Sequence, residues 1–542
     1  MSAEVISSGR AVLGIEFGST RIKACLIGDD TATVLAAGAF EWENDFVDGM
    51  WTYPIDAVWS GLRAAYADLL SDIESRYSVI PSSFAGIGVS AMMHGYLALD
   101  AAGELLVPFR TWRNTTTADA AAELTGLFGV NIPLRWSIAH LHQAVRDAEP
   151  HVARIDSLTT LAGYVHGRLT DRRVLGVGDA SGMFPIDPAT GDYDADFLAR
   201  YDRLVEGGAL PAPLRELLPE VLTAGEQAGR LTAEGAALLD PSGRLLPGAP
   251  FCPPEGDAGT GMVATNAVSP RTGNVSAGTS IFAMVVLERP LQREHAELDV
   301  VTTPAGSPVA MVHCNNGASE LAAWVGMFHR FAAASGSPLD ADAVYDTLFG
   351  EALLAEADAG GLLAYNHLAG EPIAGLTEGR PLFVRTPDSR FTLANAMRAQ
   401  LYGVFGTLSL GMRVLADEGV ELDRMYAHGG MFRTAGVAQR FLAAALDAPV
   451  AVAETAAEGG AWGMAVLAAF AVSGTDLDLA GYLQRHVFAG SEPVTADPAP
   501  ADVAGFASYL DRYRAGLEVE RAAVVALAPT PPATTPPERT SR

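Results

Sequence analysis

Residues 12–28 read VLGIEFGSTRIKACLIG. Two apolar, β-prone runs flank Gly18-Ser19-Thr20, the composition of two strands joined by a tight turn. Glycine lets a ligand approach the backbone. The two hydroxyl residues add donors beside main-chain N–H groups, so the turn can cradle an anion. Glu16, two residues before the glycine, is placed to hold Mg²⁺ directly or through water. Lys23 follows Arg21 at alternate spacing, so in a strand the two side chains share a face. Residues 273–288, GNVSAGTSIFAMVVLE, repeat the pattern around Gly278-Thr279-Ser280. Two such hairpins, each near the start of a half-chain, predict two similarly built lobes facing one nucleotide.

The 542 residues exceed what one hydrophobic core supports, so two large domains are expected. Strand-like and helix-like patterns alternate, which is the mark of an α/β protein. Strands are predicted over 11–17, 85–89, 307–313 and 424–428, and helices over 57–66, 318–332, 393–415 and 435–446. Gly403, Gly406 and Gly411 lie inside the third helix and predict close packing there. The division is expected near residue 264. Residues 1–264, with the first turn, are expected to form one lobe and residues 265–510, with the second, the other. Residues 1–9 read as a loose tail, and 529–542, rich in Pro and Thr, as disordered.

The formal charge is −28. Such a surface repels nucleic acid and anionic lipid, whereas a neutral small molecule meets no barrier. Of 36 basic residues one is a lysine, Lys23. No run of about 18 apolar residues predicts a membrane span. The start, MSAEVISSGR, lacks the pattern of a signal peptide. Cys25, Cys252 and Cys314 stand too far apart for a zinc site or a disulfide framework and read as buried small hydrophobes. A cytoplasmic location is expected.

Four further stretches carry candidate chemistry. In residues 252–261, CPPEGDAGTG, Asp257 sits among glycines that let a substrate come close, and its carboxylate can take a proton from an attacking hydroxyl. An aspartate there also serves as a turn residue or helix cap; Glu255 is the second choice of base. In residues 88–96, GVSAMMHGY, an apolar strand runs into a polar tip whose His94 can bond a sugar hydroxyl or serve as a core histidine. Trp112, Arg113 and Asn114 form a polar-aromatic cluster suited to a sugar face, though a lone Trp is commonly core. Gly429 and Gly430, and Gly459 and Gly460, each precede helix-like runs and let backbone meet a nucleobase or pack a helix tightly. GxxxxGK[ST], HRD with DFG, GxSxG and HExxH are absent from the sequence.

In order and spacing, these segments resemble the FGGY carbohydrate kinase family over about residues 11–490. Its first phosphate loop, roughly D-x-G-T-T-x-x-K/R, is similar to Glu16 to Lys23. Its Met-Met-His-Gly feature is similar to Met92-Met93-His94-Gly95. The segment with its catalytic Asp resembles Gly256-Asp257-Ala258-Gly259. Its Gly-Thr-Ser loop matches Gly278-Thr279-Ser280, and its adenosine-motif glycines match Gly429 and Gly430. Two positions depart from the pattern: Glu16 stands for the usual Asp, and Trp112-Arg113-Asn114 for Trp-Asn-Asp.

The resemblance implies two RNase-H-like, actin-type lobes around a cleft, with the sugar and the first phosphate loop in residues 1–264 and nucleotide binding in residues 265–510. It implies transfer of the γ-phosphate of ATP, with Mg²⁺, to a small sugar. Asp257 would be the base. Met93, His94, Trp112 and Asn114 would contact the sugar. Gly18, Ser19, Thr20, Lys23, Gly278, Thr279, Gly429 and Gly430 would hold the nucleotide, and Glu16 the metal. The Met-Met-His-Gly match favours a ketopentose, xylulose first and ribulose next. No nucleic-acid or membrane partner is expected, and a homodimer stays open. The rival from another class is an actin-like switch ATPase, which needs neither His94 nor Asp257.

Overall fold

The computed structural model of the chain describes residues 2–207, 210–452, 459–490 and 493–527. The segment 529–542 read as a disordered tail lies outside the described residues.

The hairpin that opens the chain seeds a five-stranded sheet. Its order is Glu255–Gly256, Gly86–Ala91, Val12–Phe17, Arg21–Ile27 and Val34–Glu41. Val12–Phe17 runs antiparallel to Arg21–Ile27 and parallel to Gly86–Ala91. The second hairpin seeds a seven-stranded sheet in the order Leu298–Thr302, Pro308–Cys314, Ile281–Val286, Thr272–Ala277, Arg424–His428, Val450–Val452 and Val494–Ala496. Thr272–Ala277 is antiparallel to Ile281–Val286 and parallel to Arg424–His428. Without its two outermost strands, the second sheet has the order and directions of the first. The duplicated hairpin of the sequence is therefore the centre of a duplicated lobe.

Each sheet has its own apolar core, and a third cluster joins the lobes. Met93 and Met183 of the first lobe share it with Met284, Val309 and Met311 of the second. Two helices hold the lobes together. Asp257–Ala264 follows the last strand of the first sheet. Gly459–Val472 lies in sequence between the second-sheet strands Val450–Val452 and Val494–Ala496 yet packs on the first sheet: a Cβ on Gly14 would stand 2.1 Å from the carbonyl of Ala461, and one on Gly463 would stand 2.2 Å from that of Thr260. The unit expected over 265–510 thus lends a helix to the amino-terminal sheet.

The long helix Leu393–Asp417 forms as its pattern predicts. Its three glycines meet neighbours closely: a Cβ would lie 2.7 Å from the Ala364 carbonyl at Gly403, 3.1 Å from the Tyr513 ring at Gly406, and 2.3 Å from Val312 at Gly411. The three cysteines are buried thiols. The loose tail expected over 1–9 is corrected. Ser2–Ser7 is a helix that buries Val5 and Ile6 in the core of the first sheet, and apolar burial outweighs the short length of the segment. Among the described residues no helix is long and apolar enough to cross a membrane.

Candidate active site

Parallel strands converge at their carboxyl ends, where open α/β sheets bind ligands. In the first sheet those ends lead to Gly18, Met92 and Asp257; in the second they lead to Gly278 and Gly429.

At both hairpins the backbone is tied back into the fold. In the first, Trp42 Nε1 donates to the Gly18 carbonyl at 2.7 Å and the Tyr53 hydroxyl to the Ser19 carbonyl at 2.6 Å. In the second, Gly317 N–H donates to Thr279 O at 2.7 Å and Ala318 N–H to Gly278 O at 2.8 Å. With carbonyls turned inward, Thr20, Gly278 and Thr279 lie exposed. This is the disposition an anion-binding turn needs.

Lys23 stands opposite Glu16 across the first hairpin, with Nζ 3.4 Å from Glu16 Oε2. The start of helix Gly459–Val472 covers the same carboxylate. A Cβ on Gly460 would fall 2.2 Å from Glu16 Oε1, so a larger residue there would displace the carboxylate.

Asp257 opens its helix with Gly256 as the cap, and the Met93 N–H donates to its Oδ1 at 3.1 Å. Burial pushes its carboxyl up to about 6, the Met93 bond opposes the shift, and the negative charge of Glu16 adds to it. Asp257 is thus ionised at neutral pH and remains basic enough to accept a proton. Among the described residues no group of three or more His, Cys, Asp or Glu side chains forms a metal cage. Mg²⁺ is commonly held by one or two carboxylates plus substrate phosphates, and the donor set of Glu16 and Asp257 beside the phosphate turns fits that habit.

His94 adopts a left-handed backbone, φ 69°, which is uncommon outside glycine and recurs at functional sites. Its Nδ1 lies 3.2 Å from the Gly182 carbonyl, and its ring stacks on Trp136. Burial, with Arg135 nearby, keeps the ring neutral. A neutral imidazole donating from Nδ1 leaves Nε2 as an acceptor. Met93 packs beside the base: a Cβ on Gly256 would touch its Cγ.

The Trp112 to Asn114 segment divides. Trp112 is exposed, while Arg113 lies 4.1 Å over the Trp51 ring. Asn114 is corrected as a sugar ligand. Its Oδ1 accepts the Trp51 N–H, and its Nδ2 donates to the carbonyls of Trp51 and Thr111. Its donors tie the strand Met50–Thr52 to the segment at Thr111.

Glu255, the second choice of base, also has a structural task. It accepts N–H groups of Gly178 and Asp179 at 3.3 and 3.0 Å. Asp179, which the sequence reading passed over, lies beside it and accepts the Thr160 hydroxyl at 2.6 Å. Burial raises both, Glu255 to about 8 with the charge of Asp179 adding to the shift, and Asp179 to about 7 with the charge of Asp257 adding to it. The glycine-rich run Gly176-Val-Gly-Asp179-Ala-Ser-Gly182 resembles the setting of Asp257 and was the available signal.

In the second lobe a cavity of about 400 Å³ is lined by Gly278, Leu321, Tyr345, Phe349, Gly430 and Met431, among others. Gly429 has φ 113°, and a Cβ there would stand 2.3 Å from the Ala277 carbonyl. Its lining combines apolar and aromatic residues with Asp342, Asp346, Arg433 and Thr434, which suits a nucleobase with its ribose.

Comparison with known proteins agrees with this architecture. The amino-terminal domain of the FGGY family of carbohydrate kinases matches residues 11–243, and the carboxyl-terminal domain of that family matches residues 273–472. A xylulose kinase of Streptomyces coelicolor is 26% identical over 298 residues; the match covers 52% of this chain and 56% of that protein, so the chain spans little more than half the length of this relative. A solved xylulose kinase structure from Rhodospirillum rubrum superposes with TM-score 0.76 at 22% identity, over 94% of this chain and 99% of that one. A gluconate kinase structure from Lactobacillus acidophilus does so with TM-score 0.74 at 17% identity, over 95% and 98%. The chain belongs to the FGGY family of carbohydrate kinases.

Proposed function

We propose that the protein phosphorylates a small neutral sugar with ATP, a ketopentose such as xylulose being the first candidate, and that Asp257 is the base. The observation that carries the proposal is the setting of Asp257. It opens a helix at the carboxyl ends of the parallel strands, is held by the Met93 N–H, and is tuned to about 6. An ATP-driven switch has no use for such a group beside His94.

The sugar would lie against Met93 and His94, with one hydroxyl directed at Asp257. Asp257 accepts that proton as the oxygen attacks the γ-phosphorus of ATP and the β–γ bridging oxygen departs with ADP. The two hairpin turns and Lys23 hold the phosphates, and the cavity beside Gly430 holds adenosine. Mg²⁺, held by Glu16 and the phosphates, would neutralise charge on the transferring group. The relatives named as xylulose kinases support a ketopentose; a cytoplasmic location is part of the same proposal.

The test is a panel of ketopentoses, polyols and aldonates, followed by ADP release and detection of the phosphorylated product. Sugar-dependent ADP release with stoichiometric sugar phosphate is expected. ATP hydrolysis indifferent to every sugar would favour the switch ATPase.

A further inference from the structure

The face that the second sheet turns toward the first lobe carries a polar group that Asp257 and the phosphate turns do not explain. Alternation along Pro308–Cys314 sends Val309, Met311 and His313 to one side, and Asp299, the cross-strand partner of Met311, joins them. Val309 and Met311 belong to the apolar cluster that contains Met93, so this face looks toward the sugar side of the first lobe. From there Arg135 reaches across and pairs with Asp299, and Asn131 Nδ2 donates to Asp299 Oδ1 at 3.2 Å.

Arg135 is joined to the His94 segment. Its carbonyl accepts the Gly95 N–H at 3.2 Å, and the next residue, Trp136, stacks on the His94 ring at 6.4 Å between centroids. His313 is half-buried. Burial beside Arg135 lowers its imidazole to about 4, so it is neutral at pH 7. Both lobes thus bring hydrogen-bonding groups to one place next to His94, and together they carry no net charge.

We propose that Arg135, Asp299 and His313 form the far wall of the acceptor subsite, reading the hydroxyls remote from Asp257, and that the closed Arg135–Asp299 pair favours neutral sugars over aldonates. This rests on the kinase reading above. A carboxylate accepts bonds from sugar hydroxyls, and a neutral imidazole can donate or accept. An aldonate would need the Arg135 fork for itself, but Asp299 already holds Nη2 of that fork and repels a second carboxylate. Asp299 and His313 come from the nucleotide lobe, whereas His94 and Asp257 come from the other, so the sugar is read by both.

The experiment compares wild type, His313→Ala, His313→Gln and Asp299→Asn, with a thermal melt of each. KM and kcat are measured for ATP, for the best neutral sugar and for gluconate. His313→Ala should raise the KM for sugar several-fold to about tenfold, as loss of a neutral hydrogen bond does, leaving the KM for ATP unchanged; His313→Gln should restore part of it. Asp299→Asn should free Arg135 and narrow the preference for the neutral sugar over gluconate by about tenfold. Folded His313 variants with wild-type sugar KM would overturn the subsite, even where Asp299→Asn fails to fold. Wild type that hydrolyses ATP without phosphorylating any sugar overturns the kinase reading and this inference with it, an outcome visible without any variant.

Discussion

The backbone N–H of Met93 donates to Asp257 Oδ1 at 3.1 Å, a bond that joins the end of one parallel strand to the start of the helix after its neighbour. Two segments 164 residues apart in sequence are thereby fixed to each other. The bond anchors the carboxylate to the scaffold at the place where the proposed proton transfer needs it.

Replacing Asp257 with Asn keeps the size of the side chain and removes its basicity. Turnover should fall by about 10²–10⁴-fold, the usual contribution of a general base, while ATP binding measured by calorimetry persists. In wild type the base acts only when ionised, so kcat/KM for sugar should decline as pH falls below about 6. Glu16→Gln removes a negative charge that raises Asp257, so the acid limb should shift to lower pH. An acid limb that stays in place in Glu16→Gln would separate the two carboxylates functionally.

Lys23 faces Glu16 at 3.4 Å and is partly exposed. Lys23→Ala should raise the KM for ATP by roughly ten- to a hundredfold, the worth of a charge-assisted bond, and leave sugar binding within about twofold. Unchanged ATP kinetics would mean that Lys23 serves only to pair with Glu16.

The two hairpins were legible because their information is local: apolar alternation, a glycine and two hydroxyl residues suffice to specify strand, turn and strand. Arg424–His428 and the start of the helix Leu393–Asp417 were legible for the same reason. What escaped depends on distance. Arg135 meets Asp299 only because an edge strand of the second sheet docks on the first lobe. Asn114 looks like a sugar ligand until Trp51 is brought to it from 63 residues upstream. Helix Gly459–Val472 belongs to the first sheet by packing and to the second by sequence, and no local pattern encodes that return.

Gly429 and Gly430 differ in what a methyl group would meet. At Gly429 it meets the Ala277 carbonyl at 2.3 Å in a backbone with φ 113°; at Gly430 nothing among the described residues lies within 4 Å. Gly429→Ala should lower the melting temperature by several degrees, from about 1–3 kcal/mol of backbone strain, and weaken ATP binding. Gly430→Ala should leave the melting temperature within about a degree and act on ATP alone, since Gly430 lines the cavity. Equal melting temperatures for the two variants would remove the strain assignment.

Glu255 and Asp179 supply a test of stability rather than turnover. Both are almost wholly buried, at 2% and 1% exposure. Burial, then the charge of Asp179, raises Glu255 from 4.5 to about 8; burial is also the first cause at Asp179, raised from 3.8 to about 7. The folded protein therefore holds protons that the unfolded chain releases at lower pH. Stability from a raised acid is fully present below its unfolded value and is lost as pH rises through its folded value. For this pair the window runs from about pH 4 to pH 8. The buried His140 and His166, lowered by burial, oppose it on the acid side, since they must charge on unfolding. The informative quantity is thus the difference between variant and wild type at each pH. Glu255→Gln keeps an acceptor for one of the two N–H groups and cannot ionise. It should melt below wild type at pH 5, where the acid is protonated and well bonded, and recover relative to wild type by pH 8.5, where wild type has a carboxylate forced into an apolar site. A constant difference in melting temperature across that range would show that Glu255 does not titrate with folding.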